Sequence, residues 1–391
     1  MPVPRPAPSP TTAQSRLPSL TGMRFLAALM VMLCHAGTSL LPRLGDPKVS
    51  WYERLVANAG PVGLSFFFVL SGFVLTWVAA PDDTRVAFWR RRLVKIFPNH
   101  LVTLAAAVAL MLYTGVAVTT ANTVPTLFLV QAWIPRQDVI LNFGSNTPSW
   151  SLSCELLFYL SFPWLLIAAR RIRPQRLWWW VVGLVVAMCV VPLLAGLLPD
   201  RPYMVASSDP WWQVWFVYHF PVTRLLEFVL GILTALVIRS GRWIPLPFGV
   251  AALLAAGAFT GGALLTDTYR YVAPTALPLA LLVGAAATAD LRGRRTGCGG
   301  RAMVRLGEIS YAFYMVHFLV VSYGPIGAIH LENWTKPLST GDAFLLTGVT
   351  LVSSLVLAWL LHTFIEAPAM RRWSRRADPV PTVPPSSTAL A

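Results

Sequence analysis

Residues 20–37 read LTGMRFLAALMVMLCHAG, with Arg24 and His35 the only basic side chains in the stretch. A run this apolar and uninterrupted is long enough to cross a ~30 Å hydrocarbon core as a helix. In lipid the backbone polar groups must be satisfied internally, which only a helix or a closed barrel achieves, and barrel strands alternate apolar with polar residues. This segment does not alternate. Comparable apolar runs recur to the 360s, and of 391 residues 56% are hydrophobic and 12% charged. Ordinary soluble domains carry about 25% charged residues. The sequence therefore predicts an all-α integral membrane protein of about ten transmembrane helices in one bundle. The spans are expected near 20–40, 60–80, 99–119, 149–169, 178–198, 217–239, 246–265, 270–289, 306–328 and 341–364.

A net charge of +15 would suggest nucleic acid for a soluble protein, but here the cations follow the spans. With the N-terminus inside, the cytoplasmic segments hold 22 Lys and Arg, among them Arg85–Lys95, Arg170–Arg176, Arg292–Arg305 and Arg371–Arg376. The other side holds 7: Arg43, Lys48, Arg54, Arg136, Arg201, Arg270 and Lys336. This bias places both termini in the cytoplasm of a multi-pass plasma-membrane protein, with the lipid bilayer as partner and no nucleic acid. Residues 1–19 and the tail from Ala377 are rich in Pro, Ser and Thr and are expected to be disordered. The expected organisation is a cytoplasmic N-terminal segment (1–19), one membrane domain (20–368) and a basic, then Pro/Ser-rich tail (369–391), with no appended catalytic domain. Cys34, Cys154, Cys189 and Cys298 show neither a CxxC pair nor metal-like spacing, so no metal site is expected. Leu33 is bulky where lipoprotein cleavage needs a small residue, so residues 20–40 read as a retained span.

Ionisable groups inside spans are costly and are functional candidates by default. Arg24 and His35 are eleven residues apart, about three turns, on one helical face and ~16 Å apart along the axis. A snorkelling Arg and a His capping the far end would account for them without chemistry. The second span, GPVGLSFFFVLSGFVLTW (60–77), is rich in glycine and aromatics, a composition suited to close helix contact. The segment FWRRRLVKIFP (88–98) places Arg90, Arg91, Arg92 and Lys95 before Pro98, which is expected to open the third helix. Anchoring alone would explain most basic loops, but Arg92 and Lys95 at i,i+3 also suit a phosphate-bearing ligand. In the fourth span Ser151, Glu155 and Tyr159 follow at i,i+4 on one face. Arg224 and Glu227 read as a self-neutralising structural pair. In the ninth, Tyr311, Tyr314 and His317 share a face, and His362 and Glu366 close the tenth near the cytoplasm in a structural role.

In this order, LTGMRFLAALMVMLCH, FFFVLSGFVL, RRLVKIFP, PSWSLSCELLFYLSFP, RLLEFVLG, LGEISYAFYMVH and IEAP resemble the acyltransferase-3 membrane O-acyltransferases over Leu20–Pro368. Those enzymes modify bacterial surface sugars, lipids and some secreted natural products. The resemblance implies a ten-span bundle using acyl-coenzyme A as co-substrate, with no tightly bound cofactor. It places the family's Arg-x10-His motif on Arg24 and His35, its basic motif on Arg92 and Lys95, and its Ser–Glu–Tyr stripe on Ser151, Glu155 and Tyr159. Thr21 stands where many members have Asp, and Lys95 where they have a second Arg, which keeps charge but loses bidentate geometry.

Transfer of an acyl group from a thioester to a hydroxyl needs a base, because a neutral alcohol is a poor nucleophile. His35 suits this role, since unperturbed imidazole has a pKa of ~6.5. Glu155 is expected to orient His35 or stabilise its imidazolium, and Arg24 to stabilise the oxyanion or anchor the donor. Arg90–Lys95 would hold coenzyme A phosphates, and Ser151, Tyr159, Tyr311, Tyr314 and His317 would line the substrate path. An acyl-His intermediate is an alternative route. The acceptor is expected to be a hydroxyl of a carbohydrate, a glycolipid or a secondary metabolite such as a macrolide, and the acyl group short. A transporter for an amphiphilic glycolipid is the competing class, although the two halves show no matching symmetry.

Overall fold

A computed structural model describes residues 17–374 except 46–49, 81–82, 142–144, 206, 266–267, 331–332 and 334–335. The expectations for residues 1–16 and for the tail from Ala377 lie outside the described residues. Among the described residues the regular structure is helical, and the main helices are α1 Pro18–Leu40, α2 Ser50–Val78, α3 Arg85–Thr114 and α4 Trp150–Arg170. They continue with α5 Leu177–Ala195, α6 Pro221–Arg239, α7 Phe248–Ala263, α8 Ala276–Leu291, α9 Arg301–Glu308, α10 Ser310–Tyr323, α11 Thr340–Leu361 and α12 Ala367–Trp373.

Among the described residues eight helical segments are long and apolar enough to cross a membrane, and nine if α9 and α10 form one bent span. The expected ten shrink for two reasons. The segment 246–265 supplies only α7, 16 residues, which at 1.5 Å per residue reaches about 24 Å. The span 306–328 is broken at Ile309, where α9 and α10 meet at 63°. Gly307 allows that corner: a Cβ there would lie 1.9 Å from the Thr21 carbonyl oxygen of α1, and Ser310 Oγ donates to the Gly307 carbonyl at 2.7 Å.

Two helices begin earlier than expected. α2 starts at Ser50 and carries Pro61 internally; α3 starts at Arg85 and carries Pro98 internally. Pro98 therefore does not open the third helix, and the Arg90–Lys95 segment is helix rather than loop. The Thr84 hydroxyl caps this new start by accepting from the Ala87 N–H (3.2 Å), and Gly115, at φ +72°, ends it in the left-handed region. Likewise Pro18 and Ser19, expected in the disordered segment, form the first turn of α1. The Ser19 N–H, one of the orphan donors of a helix start, is met by Asp290 Oδ2 of α8 at 2.9 Å, and Ser19 Oγ donates to Oδ1 at 2.6 Å.

α2 is the most enclosed of the long helices and packs against α1 and α6. The contact to α6 is backbone against backbone. A Cβ on Gly72 would lie 1.9 Å from the Phe228 oxygen, and one on Gly231 would lie 1.9 Å from the Val69 oxygen. This is the close packing that the glycine-rich second span predicts. Phe68, Phe158 and Phe228 join α2, α4 and α6, with ring centroids 5.0 and 4.8 Å apart in sequence. Beside them Arg224 and Glu227 pair at 3.0 Å, both fully buried, and Arg224 Nη2 also donates to Ser65 Oγ at 3.2 Å. The self-neutralising pair read from the sequence is thus present. α5 and α11 lie on the outside of the bundle with most of their apolar surface uncovered, as a lipid-facing helix requires.

Candidate active site

Three cavities follow one another: two share Leu64 and Tyr314, and the other meets them where Arg92 lies over the Tyr159 ring. One is cationic: about 440 Å³, lined by Arg85, Arg91 and Arg92 from α3, Asp83 before it and Arg170 at the end of α4. Arg91 is ion-paired with Asp83. The Arg92 guanidinium lies over the rings of Phe88 (5.7 Å) and Tyr159 (6.0 Å), and its buried Nε has no hydrogen-bond partner. Arg90 is on the exposed side of α3 and is not among the residues lining this cavity.

Tyr159 leads to a second, narrow cavity of about 70 Å³, where Arg24, Lys95, Ser151, Glu155, Tyr311 and Tyr314 converge from α1, α3, α4 and α10. The Ser–Glu–Tyr stripe of α4 therefore does face one site, with Tyr159 OH donating to Glu155 Oε2 at 3.1 Å. Lys95 belongs here and not with Arg92. Its ammonium is paired with Glu366, and lies 5.2 Å from the centre of the Tyr311 ring. Glu366 is delivered by the π-turn His362–Glu366 that joins α11 to α12, and it also accepts from Asn99 Nδ2 at 2.9 Å. Tyr311 OH donates to the Ile96 carbonyl (3.1 Å), locking α10 to α3.

The third cavity, about 250 Å³, contains His35. Tyr314 and Leu64 line both this cavity and the narrow one, forming the partition between them. The Tyr314 hydroxyl is held at that position by Ser151 Oγ (2.9 Å) and by donation to the Pro148 carbonyl (3.1 Å). Glu155 is on the far side of the partition from His35. The ring against His35 is His317, stacked at 5.4 Å between centroids and 24° between planes, with Phe318 edge-on at 5.0 Å. His317 Nδ1 lies 2.7 Å from the Tyr314 carbonyl, so it donates there and the lone pair of the neutral ring sits on Nε2.

Apart from Trp150, which directly precedes Ser151, the remaining polar and aromatic walls come from segments that carry no spacing signal in the sequence. Asn58, Trp150, Tyr218, His219, Arg270 and Tyr271 all line the His35 cavity. Arg270 is positioned by Asp209, at 2.6 Å, and Tyr271 OH donates to the same carboxylate oxygen at 3.1 Å. The π-turn Trp215–His219 just before α6 was a possible flag, since such turns recur at functional sites, but its presence is visible only in the fold. Among the described residues no group of three or more His, Cys, Asp or Glu side chains is arranged to hold a metal ion.

A family model described as an acyltransferase domain matches residues 17–363. The chain is 40% identical over 378 residues to the acyltransferase MdmB of Streptomyces mycarofaciens, covering 95% of this chain and 96% of that protein. It is 26% identical over 382 residues to nodulation protein 10 of Rhizobium leguminosarum bv. viciae (89% and 92% covered). It is 27% identical over 215 residues to the peptidoglycan O-acetyltransferase OatA of Listeria monocytogenes serovar 1/2a (49% and 32% covered). No solved structure matches the chain. The ordered motifs, the helical bundle that brings them together and a match over nearly the whole length make this chain a membrane acyltransferase of the acyltransferase-3 family.

Proposed function

We propose that the protein moves a short acyl group from acyl-coenzyme A to a hydroxyl of a carbohydrate, glycolipid or secondary metabolite, with His35 as the general base. The observation that carries this reading is the succession of cavities: cationic, then narrow and polar, then the one holding His35. The cationic end lies where α3 begins and α4 ends, which the charge bias assigns to the cytoplasm, together with both termini. Arg92, Arg85 and Arg170 would bind the donor's phosphates there. Its pantetheine arm would run through the narrow cavity past Arg24 and Glu155. Arg24 is three turns from His35, ~16 Å along α1, which suits anchoring of the donor arm and not the oxyanion at the reacting carbonyl.

At the far end the acceptor hydroxyl oxygen attacks the thioester carbonyl carbon while His35 takes its proton. The tetrahedral intermediate collapses, the carbon–sulfur bond breaks, and the imidazolium returns the proton to the leaving thiolate. The step needs no other co-reactant. Tyr314 stands between donor and acceptor, so the thioester reaches His35 only when that side chain moves aside. The acceptor would enter the His35 cavity from the extracytoplasmic side, since Arg54, Met204 and Arg270 line it from that end. Acyltransferase membership accounts for the buried Arg, Glu and His, and the transporter reading has no observation of its own.

The test is incubation of the purified protein with radiolabelled acetyl-CoA and pooled glycan and hydroxylated-metabolite acceptors. Labelled ester product is the expected result. The absence of both labelled product and acetyl-CoA binding would overturn the proposal.

A further inference from the structure

The His35 cavity carries polar atoms that the fold leaves unused and that the transfer step does not require. Asn58, 4% exposed, donates Nδ2 to the Phe259 carbonyl at 2.8 Å. That bond fixes the orientation of the amide and leaves Oδ1 an acceptor with no donor. His219, 2% exposed, is presented by the π-turn ahead of α6 and set among the rings of Trp150 (4.5 Å), Tyr218 (4.9 Å) and Trp211 (5.5 Å). Its Nδ1 makes no well-formed hydrogen bond, and the ring's backbone contact is to Val214. Both side chains line the cavity that contains His35. Buried polar atoms are ordinarily hydrogen-bonded, and an orphan pair in the wall of one cavity points to a ligand that supplies the missing partners.

The surroundings narrow the chemistry of that ligand. Trp150, Tyr218 and Tyr271 offer flat apolar faces, and Tyr218 and Tyr271 stack on each other at 5.0 Å. A mostly apolar pocket with a few fixed polar groups is built to orient one face of a ring while reading its substituents. Asn58 Oδ1 can only accept, so its partner is a donor such as a hydroxyl. We infer that Asn58 and His219 are the acceptor-specificity residues: they hydrogen-bond hydroxyls of the acceptor other than the one that is acylated, so the site selects a polyhydroxylated ring over a lone alcohol. This rests on the reading of the His35 cavity as the acceptor site. A site built to hydrogen-bond a substrate hydroxyl discriminates strongly against the analogue that lacks it, because the orphan atoms then stay unpaired.

The experiment uses the full-length protein in lipid nanodiscs, free of sugar detergents, with radiolabelled acetyl-CoA. The probes are the octyl glycosides of glucose, galactose, mannose and rhamnose beside 1-octanol. Wild type should acylate at least one glycoside in strong preference to octanol. In Asn58→Leu and His219→Phe the ratio of kcat/KM for that glycoside over octanol should fall about tenfold to a hundredfold, while the KM for acetyl-CoA stays put. His219→Asn, which restores a hydrogen-bonding atom near the Nδ1 position, should recover part of the ratio. A ratio unchanged in both variants, or a uniform loss on every acceptor, overturns the inference. Product from octanol alone overturns it while leaving acyl transfer standing. No product from any probe overturns the acyl-transfer reading of this cavity, and the inference falls with it.

Discussion

Lys95 separates two readings of the basic segment that starts α3. If it grips the donor's phosphates, its loss weakens acyl-CoA binding; if it serves Glu366, its loss weakens the fold. The structure favours the second. Glu366 is 2% exposed and depends on Lys95, on Asn99 Nδ2 at 2.9 Å and on His362 Nδ1 at 3.4 Å. Breaking a buried pair by removing one partner costs about 3–5 kcal/mol, because the other charge stays buried and uncompensated. The Lys95 side chain is 25% exposed, so water can partly replace it and the lower end, about 3 kcal/mol, is expected. Glu366→Gln keeps an oxygen for Asn99 and removes the charge, so Lys95→Met combined with Glu366→Gln should recover all but about 1 kcal/mol. The assay is unfolding by SDS in mixed micelles, run as a double-mutant cycle. A coupling of at least about 2 kcal/mol is expected, to which the cost of Glu366→Gln alone adds, between side chains 271 residues apart in sequence. If Lys95→Met unfolds like wild type and instead raises the KM for acetyl-CoA, the reasoning is refuted.

Other perturbations follow from the same geometry. Arg92→Ala should raise the KM for acetyl-CoA about tenfold with a smaller change in kcat, as loss of a charge-assisted contact predicts, and Arg170→Ala should do so less, being more exposed; steady-state kinetics at saturating acceptor reads both. Gly231→Ala places a methyl 1.9 Å from the Val69 oxygen, forcing α2 and α6 apart, and should cost about 1–3 kcal/mol or abolish a monodisperse peak on size-exclusion chromatography. Asp290→Ala removes the carboxylate that meets the Ser19 N–H at the start of α1, and at its half-buried position should cost about 1 kcal/mol in the same unfolding assay.

Much of the architecture is legible in the sequence because hydropathy reports length against a fixed membrane thickness. The helical class, the Arg224–Glu227 pair, the close glycine packing of α2 and the shared face of Ser151, Glu155 and Tyr159 all come from spacing within one helix. The bend at Ile309, the short α7 and the early start of α3 do not. A proline inside a helix reads locally as a start or a stop, and only the neighbours that satisfy the backbone around Pro98 decide otherwise. Partnerships between helices are equally invisible: nothing near Lys95 in sequence points to Glu366, and nothing near His35 points to His317, Asn58 or His219. Spacing shows which residues of one helix share a face, not which other helix meets it.

The most direct test of the central claim compares His35→Ala with wild type in two readouts on one purified, folded preparation. One is binding of radiolabelled acetyl-CoA, the other the rate of label transfer to an accepted hydroxyl. Loss of a general base typically costs about 10²–10⁴-fold in rate. The account predicts a fall in transfer of that order with acetyl-CoA binding retained, because it assigns the donor's phosphates to the opposite end of the cavity series. Near-normal transfer by His35→Ala would contradict it.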